Sequence, residues 1–136
     1  MKTAVLYTLF AVAIALTFVT SAAAQCPAAF KLSGDIDGSW SKTTSSAWSK
    51  MLPKQWVDKG FHFYSRVRER GPAAGIQTPS DLESEIRKAS ADQPTATPNR
   101  RQIVLNIAND SGAKLRVIYD YAGKKTSKCE LVTLTY

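Results

Sequence analysis

The sequence predicts an α+β domain in which two N-terminal helices pack on a three- to four-stranded antiparallel β-meander. Three observations predict it. Apolar residues recur at three- and four-residue spacing between Lys54 and Arg70, and again after Thr78. They alternate with polar residues through the C-terminal third. The connections within that third are short turns, which join antiparallel neighbours.

The chain opens on Met1-Lys2, continues as an apolar run from Ala4 to Val19 and reaches Ser21-Ala22-Ala23-Ala24. A charged start, an apolar middle and a small-residue end make residues 1–24 a cleavable signal peptide, with the cut after Ala24. No stable membrane insertion is expected after cleavage, and the destination is secreted or periplasmic. Residues 25–53 read as an N-terminal extension and loop. Gly34, Asp35, Asp37 and Gly38 precede a Ser/Thr-rich stretch anchored by Trp40 and Trp48. Asp35 and Asp37 are spaced as in a calcium loop, but the other ligand positions and the closing Glu are missing.

Residues 54–136 form the main α+β unit. Trp56, Gly60, Phe63 and Val67 mark the first helical segment, which Gly60 can split and which Gly71-Pro72 ends. Thr78 and Pro79 suit the cap and first position of a second helix, with Asp81 and Glu83 near its positive end. Leu82, Ile86 and Ala89 supply its apolar stripe. Ser90 to Pro98 reads as an exposed loop. Strands follow over Arg101–Ala108, Lys114–Tyr121 and Lys128–Tyr136, separated by Asn109-Asp110-Ser111-Gly112 and Ala122-Gly123-Lys124-Lys125. On the last strand Thr133 and Thr135 share one face, and Val132 and Leu134 the other.

The net charge is +7, falling to +6 once Lys2 is removed, which favours phosphate-rich partners. The two cysteines, Cys26 and Cys129, fit one disulfide in an exported chain. With no CxxC pair and no Cys/His cluster, neither zinc nor any other metal or cofactor is implied. No Ser-His-Asp arrangement is readable.

His62 is the only histidine, and a lone histidine is more often structural than catalytic. It stands at i, i+4, i+7 and i+8 with Arg66, Glu69 and Arg70, which puts all four on one polar helix face. Metal-free RNA cleavage needs one group to take the ribose 2′-hydroxyl proton, another to protonate the departing 5′-oxygen, and cations for the transition-state charge. His62 and Glu69 fit the proton roles, and Arg66, Arg68 and Arg70 fit the phosphate. A solvated helix face laced with ion pairs fits the same spacing. Thr133, Thr135 and Tyr136 are ordinary strand residues by propensity, as are Tyr119 and Tyr121. Arg100-Arg101 and Lys124-Lys125 are basic pairs at loop edges.

The run from His62 to Gly71 has the form H-x3-R-x-R-E-R-G. It is followed by Thr78-Pro79-Ser80-Asp81-Leu82 and a terminal Val132-Thr133-Leu134-Thr135-Tyr136. Over residues 60–136 this resembles the barnase/EndoU/colicin/RelE-like nuclease superfamily, most of all its small toxin-type domains. The resemblance implies helices on a four-stranded antiparallel sheet and metal-independent cleavage of RNA. By it, His62 and Arg66 are the helix-borne active-site residues, Arg70 a phosphate binder, and Thr133, Thr135 or Tyr136 the contributions of the last strand. Together with Glu69 and Arg68 from the helix-face reading, the expected catalytic set is His62, Arg66, Glu69 and Thr133, and the expected substrate-binding set is Arg68, Arg70, Thr135 and Tyr136. An acidic immunity protein is then an expected partner, because a producer of a nuclease must be protected. Pro72-Ala73-Ala74 lengthens the segment after Glu69-Arg70-Gly71 beyond the family pattern, and a signal peptide is unusual for such a domain.

Two other readings share the sequence. One is an exported, non-enzymatic binding protein whose basic face holds anionic polymers or a protein partner. The other is an enzyme acting on cell-wall material.

Overall fold

The computed structural model describes Cys26 and residues 30–89, 92–121 and 128–136. The expected signal peptide and the expected turn at Ala122–Lys125 lie outside these residues, as does Ser90 at the start of the expected loop. The architecture is α+β: α1 (Ser45–Met51), β1 (Trp56–Val57), α2 (His62–Arg70), α3 (Pro79–Lys88), β2 (Gln93–Pro94), β3 (Arg100–Ala108), β4 (Lys114–Asp120) and β5 (Cys129–Thr135). The strands form one sheet in the order β1-β5-β4-β3-β2.

The expected meander is present as β3-β4-β5, paired antiparallel throughout. Two short edge strands extend it. β2 pairs antiparallel with β3, inside the stretch read as a loop. β1 pairs parallel with β5, so the sheet is mixed. The helical spacing predicts a helix through Trp56 and Val57; instead they pair with the edge of β5, and Gly60 separates them from α2. Gly60 adopts a left-handed φ of 68°, and α2 starts only at His62.

A third helix, α1, stands where a loop was expected. Thr44 caps it by accepting from the Ala47 N–H, and Trp48 and Met51 face the core three residues apart. Phe30, Leu32, Trp40, Trp48 and Met51 belong to the same buried cluster as Phe63, Val67, Leu82 and Leu131. Residues 30–53 are therefore continuous with the core of the α+β unit. The start of α3 follows the sequence pattern. Thr78 and Asp81 form a reciprocal capping box, with Pro79 in the first turn.

One face of the sheet lies against the helices. Leu105, Leu115, Val117, Tyr119, Leu131 and Leu134 are buried there. Leu131 and Leu134 can share this face only because β5 carries a bulge. Tyr119 pairs with Leu131 but Ile118 pairs with Thr133, which leaves Val132 as the extra residue. The bulge turns Thr133 and Thr135 to the other side.

The helix layer is anchored by Asp58, which is buried. Its carboxylate accepts from the Trp48 indole at 2.8 Å, the Tyr64 N–H at 2.9 Å and the Phe63 N–H at 3.3 Å. It thus caps α2 from outside the helix and ties α1 to it. Burial pushes this carboxyl above its usual value despite the three donors. Gly71, the last residue of the H-x3-R-x-R-E-R-G run, is there for packing. A Cβ at this position would meet the Val67 carbonyl oxygen at 2.5 Å.

Candidate functional site

The residues singled out from the sequence fall on two separate surfaces. His62, Arg66, Arg68 and Glu69 lie on the solvent side of α2, opposite the buried Phe63, Tyr64 and Val67. Two of these charges, Arg66 and Glu69, satisfy each other, while Arg68 has no carboxylate partner among the described residues. Arg66 Nη1 pairs with Glu69 Oε2 at 2.8 Å. The Arg68 guanidinium sits 5.4 Å from the centre of the Tyr64 ring. Arg70 Nη1 turns away and donates to the Leu134 carbonyl at 2.7 Å, which fastens α2 to β5. His62 and Glu69 are two helical turns apart, about 10 Å along the axis. Glu69, engaged with Arg66, makes no contact with His62.

Thr133 and Thr135 stand on the outer face of the sheet. Thr133 is opposite Ile118 and Thr135 opposite Arg116, whereas their neighbour Leu134 is opposite Val117 in the core. The structure therefore does not bring Thr133 together with His62, Arg66 and Glu69. Tyr136 follows β5 and is exposed.

Around the two threonines the pairing of β3, β4 and β5 builds a polar surface that local sequence spacing does not reveal. Its first row is Arg100, Asp120 and Glu130. Its second is Gln102, Ile118 and Thr133, and its third is Val104, Arg116 and Thr135. Among the described residues no helix covers this face, and Val104, Ile118 and Val132 take no part in the hydrophobic core. Arg100 holds Asp120 with two hydrogen bonds, Nε to Oδ1 at 2.7 Å and Nη2 to Oδ2 at 3.1 Å. That fork raises the Arg100 pKa further. Glu130 is held more loosely, with Lys59 Nζ at 4.0 Å. Arg116 is exposed and has no carboxylate partner among the described residues.

Alternation along each strand was the available signal. Arg100, Gln102, Arg116, Ile118 and Asp120 all occupy positions of one parity. Only the pairing register could align those positions with Glu130 and Thr133.

A second polar cluster lies at the inner edge of the sheet. Arg101 Nε donates to Asp92 Oδ2 at 2.8 Å and Arg101 Nη2 to the Asp92 carbonyl at 3.1 Å, while the Tyr119 hydroxyl donates to the same Oδ2. The Arg101 bond holds the Asp92 carboxyl below its usual range, and burial together with Asp92 pushes the Tyr119 hydroxyl up. A protonated, buried tyrosine and a paired carboxylate make this a fastening of the α3–β2 connection to the sheet.

Cys26 and Cys129 are bonded, with an S–S distance of 2.05 Å. Among the described residues no group of three or more His, Cys, Asp or Glu is placed to hold a metal ion. No helix among them is long and apolar enough to cross a membrane. No family model, curated protein or solved structure matches the chain.

Proposed function

We propose that this is an exported protein that engages RNA across the open face of its sheet and cleaves it without a metal. The observation that carries the reading is the outer-face arrangement: a loosely held carboxylate, an unpaired arginine and two hydroxyls in neighbouring rows. Rows on one face of a strand are about 6–7 Å apart. A phosphodiester laid over the Ile118–Thr133 row is then one row from Glu130 and one from Arg116.

In this reading Glu130 takes the proton of the ribose 2′-hydroxyl. The 2′-oxygen attacks phosphorus, the bond to the 5′-oxygen breaks, and the departing oxygen takes a proton from solvent, leaving a 2′,3′-cyclic phosphate. Arg116 and the Thr133 hydroxyl stabilise the charge gathering on the phosphoryl oxygens. The signal-peptide pattern and the disulfide support a secreted or periplasmic location. An acidic immunity protein is the partner whose charge suits the chain's excess of Lys and Arg.

The test is cleavage of total RNA by the oxidised protein in EDTA, beside Glu130→Gln, Arg116→Ala and His62→Ala variants matched by circular dichroism. Cleavage lost in Glu130→Gln, weakened in Arg116→Ala and kept in His62→Ala is the expected result. Loss in His62→Ala alone moves the chemistry to α2. No cleavage by the unsubstituted protein rejects the enzymatic reading.

One observation favours a second reading, the non-enzymatic binding protein. Most carboxylates are used internally, as ion pairs or as the caps Asp58 and Asp81. Lys42, Lys50, Lys54, Arg68, Lys114 and Arg116 are exposed and have no carboxylate partner among the described residues. Salt-dependent RNA binding without turnover selects this reading.

A further inference from the structure

We infer that the Cys26–Cys129 disulfide holds Glu130 in place, so that the outer-face site is sensitive to reduction while the helix layer is not. The functional half of this inference rests on the RNA reading above.

Cys129 is the first residue of β5 and Glu130 the second. On one side Glu130 is opposite Asp120 of β4. On the other, the start of β5 is flanked only by β1, two residues long, in the register Trp56–Cys129 and Val57–Glu130. The Cys129 N–H donates to the Gln55 carbonyl at 2.6 Å. Lys59, the one cation paired with Glu130 among the described residues, stands two residues after β1. So short a strand contributes little pairing of its own. The disulfide, the two-residue ladder and the Lys59–Glu130 pair thus meet at the sheet edge, where Trp56 and Cys129 turn into the core and Glu130 turns outward.

The chain from Phe30 onward is fastened independently of the disulfide. The Leu32 N–H donates to Glu83 Oε2 at 2.7 Å and the Ser33 N–H to the Met51 carbonyl at 3.0 Å. The Ser80 N–H donates to Ile36 at 2.7 Å and the Trp40 N–H to Gln77 at 3.1 Å. Phe30, Leu32 and Trp40 are also buried in the core. Reduction therefore acts as a local opening rather than global unfolding. The step itself is thiol–disulfide exchange. A dithiol attacks one sulfur, the S–S bond breaks, and the second thiol displaces the mixed disulfide. Two electrons and two protons end on Cys26 and Cys129, and the reductant leaves as its own disulfide.

The experiment compares the oxidised protein with the Cys26→Ser/Cys129→Ser double variant by amide hydrogen exchange and by RNA binding and cleavage. Exchange at position 129 and at Val57 should accelerate about tenfold or more, with smaller changes at Leu32, Trp40 and Leu82. RNA affinity or cleavage should fall about tenfold. Dithiothreitol should reproduce both effects in the unsubstituted protein and add nothing to the double variant. Unchanged exchange at Val57 and position 129 overturns the inference, and so does loss of protection throughout the helix layer. If the oxidised protein neither binds nor cuts RNA, the RNA reading falls separately, and exchange still decides whether the disulfide holds the start of β5.

Discussion

The solvent side of α2 and the outer face of the sheet are both polar, but their charges meet in different ways. On α2 the groups are sequence neighbours, and helical spacing lets them satisfy one another, as Arg66 does with Glu69 three residues away. On the sheet, Arg100, Asp120, Glu130 and Thr133 come from three strands, and the pairing register brings them together. A helix face of alternating charge tends to neutralise itself. A sheet face gathers groups that no local spacing would pair, and Arg116 is left there without a carboxylate partner among the described residues.

The largest expected effect comes from breaking the helix layer. Asp58→Ala leaves the Trp48 indole and two α2 amides buried without their acceptor, at a cost of about 3 kcal/mol or more. Urea unfolding measures it, and a cost under about 1 kcal/mol would show that Asp58 is not the anchor of α2. Next is Leu134→Ala on the core side of β5, expected to cost about 2–5 kcal/mol, whereas Thr133→Val beyond the bulge should change stability by only about 0.5 kcal/mol. Equal costs would mean that the bulge does not divide the two faces.

The comparison sharpens with ligand. Arg116→Ala should weaken RNA binding about three- to tenfold and lower the slope of log affinity against log salt by about one, with Arg66→Ala nearly silent. The reverse ranking would favour α2.

A smaller effect is read from pH. The Arg101 bond holds Asp92 below the ordinary value of 3.8, so its contribution to stability is present above that value and is lost as pH falls through the lower folded one. Burial raises Asp58 above 3.8, so its contribution is present below 3.8 and is lost as pH rises through the higher folded value. Asp92→Asn should therefore flatten the acid side of the stability profile, and Asp58→Asn should act with the opposite sign. The smallest effect expected is that of His62→Ala, within about 0.5 kcal/mol, because the side chain is exposed on α2.

Much of the fold was legible in the sequence because local chemistry dictates it. Thr78-Pro79 with Asp81 starts α3 by satisfying its own first amides, and alternation with tight turns marks β3, β4 and β5. β1 was not legible. Trp56 and Val57 fit a helical period, and only the open edge of β5 makes them a strand. α1 was hidden in a Ser/Thr-rich stretch of modest helix propensity, where burial of Trp48 and Met51 decides the conformation. The H-x3-R-x-R-E-R-G run and the terminal Val132–Tyr136 pattern singled out His62, Arg66 and Thr133 together, whereas the bulge of β5 sets Thr133 on the face of the sheet away from α2.

By itself the sequence determined the α+β class, the Thr78-capped start of α3, the three central strands and two cysteines suited to pairing, all of which follow from residue types and short-range periodicity. Only tertiary structure decided which polar residues share a surface. Strand register, shifted by one residue at Val132, sets which side chains of β5 face the core and which join Arg116 and Glu130 outside, and register depends on partners distant in the chain.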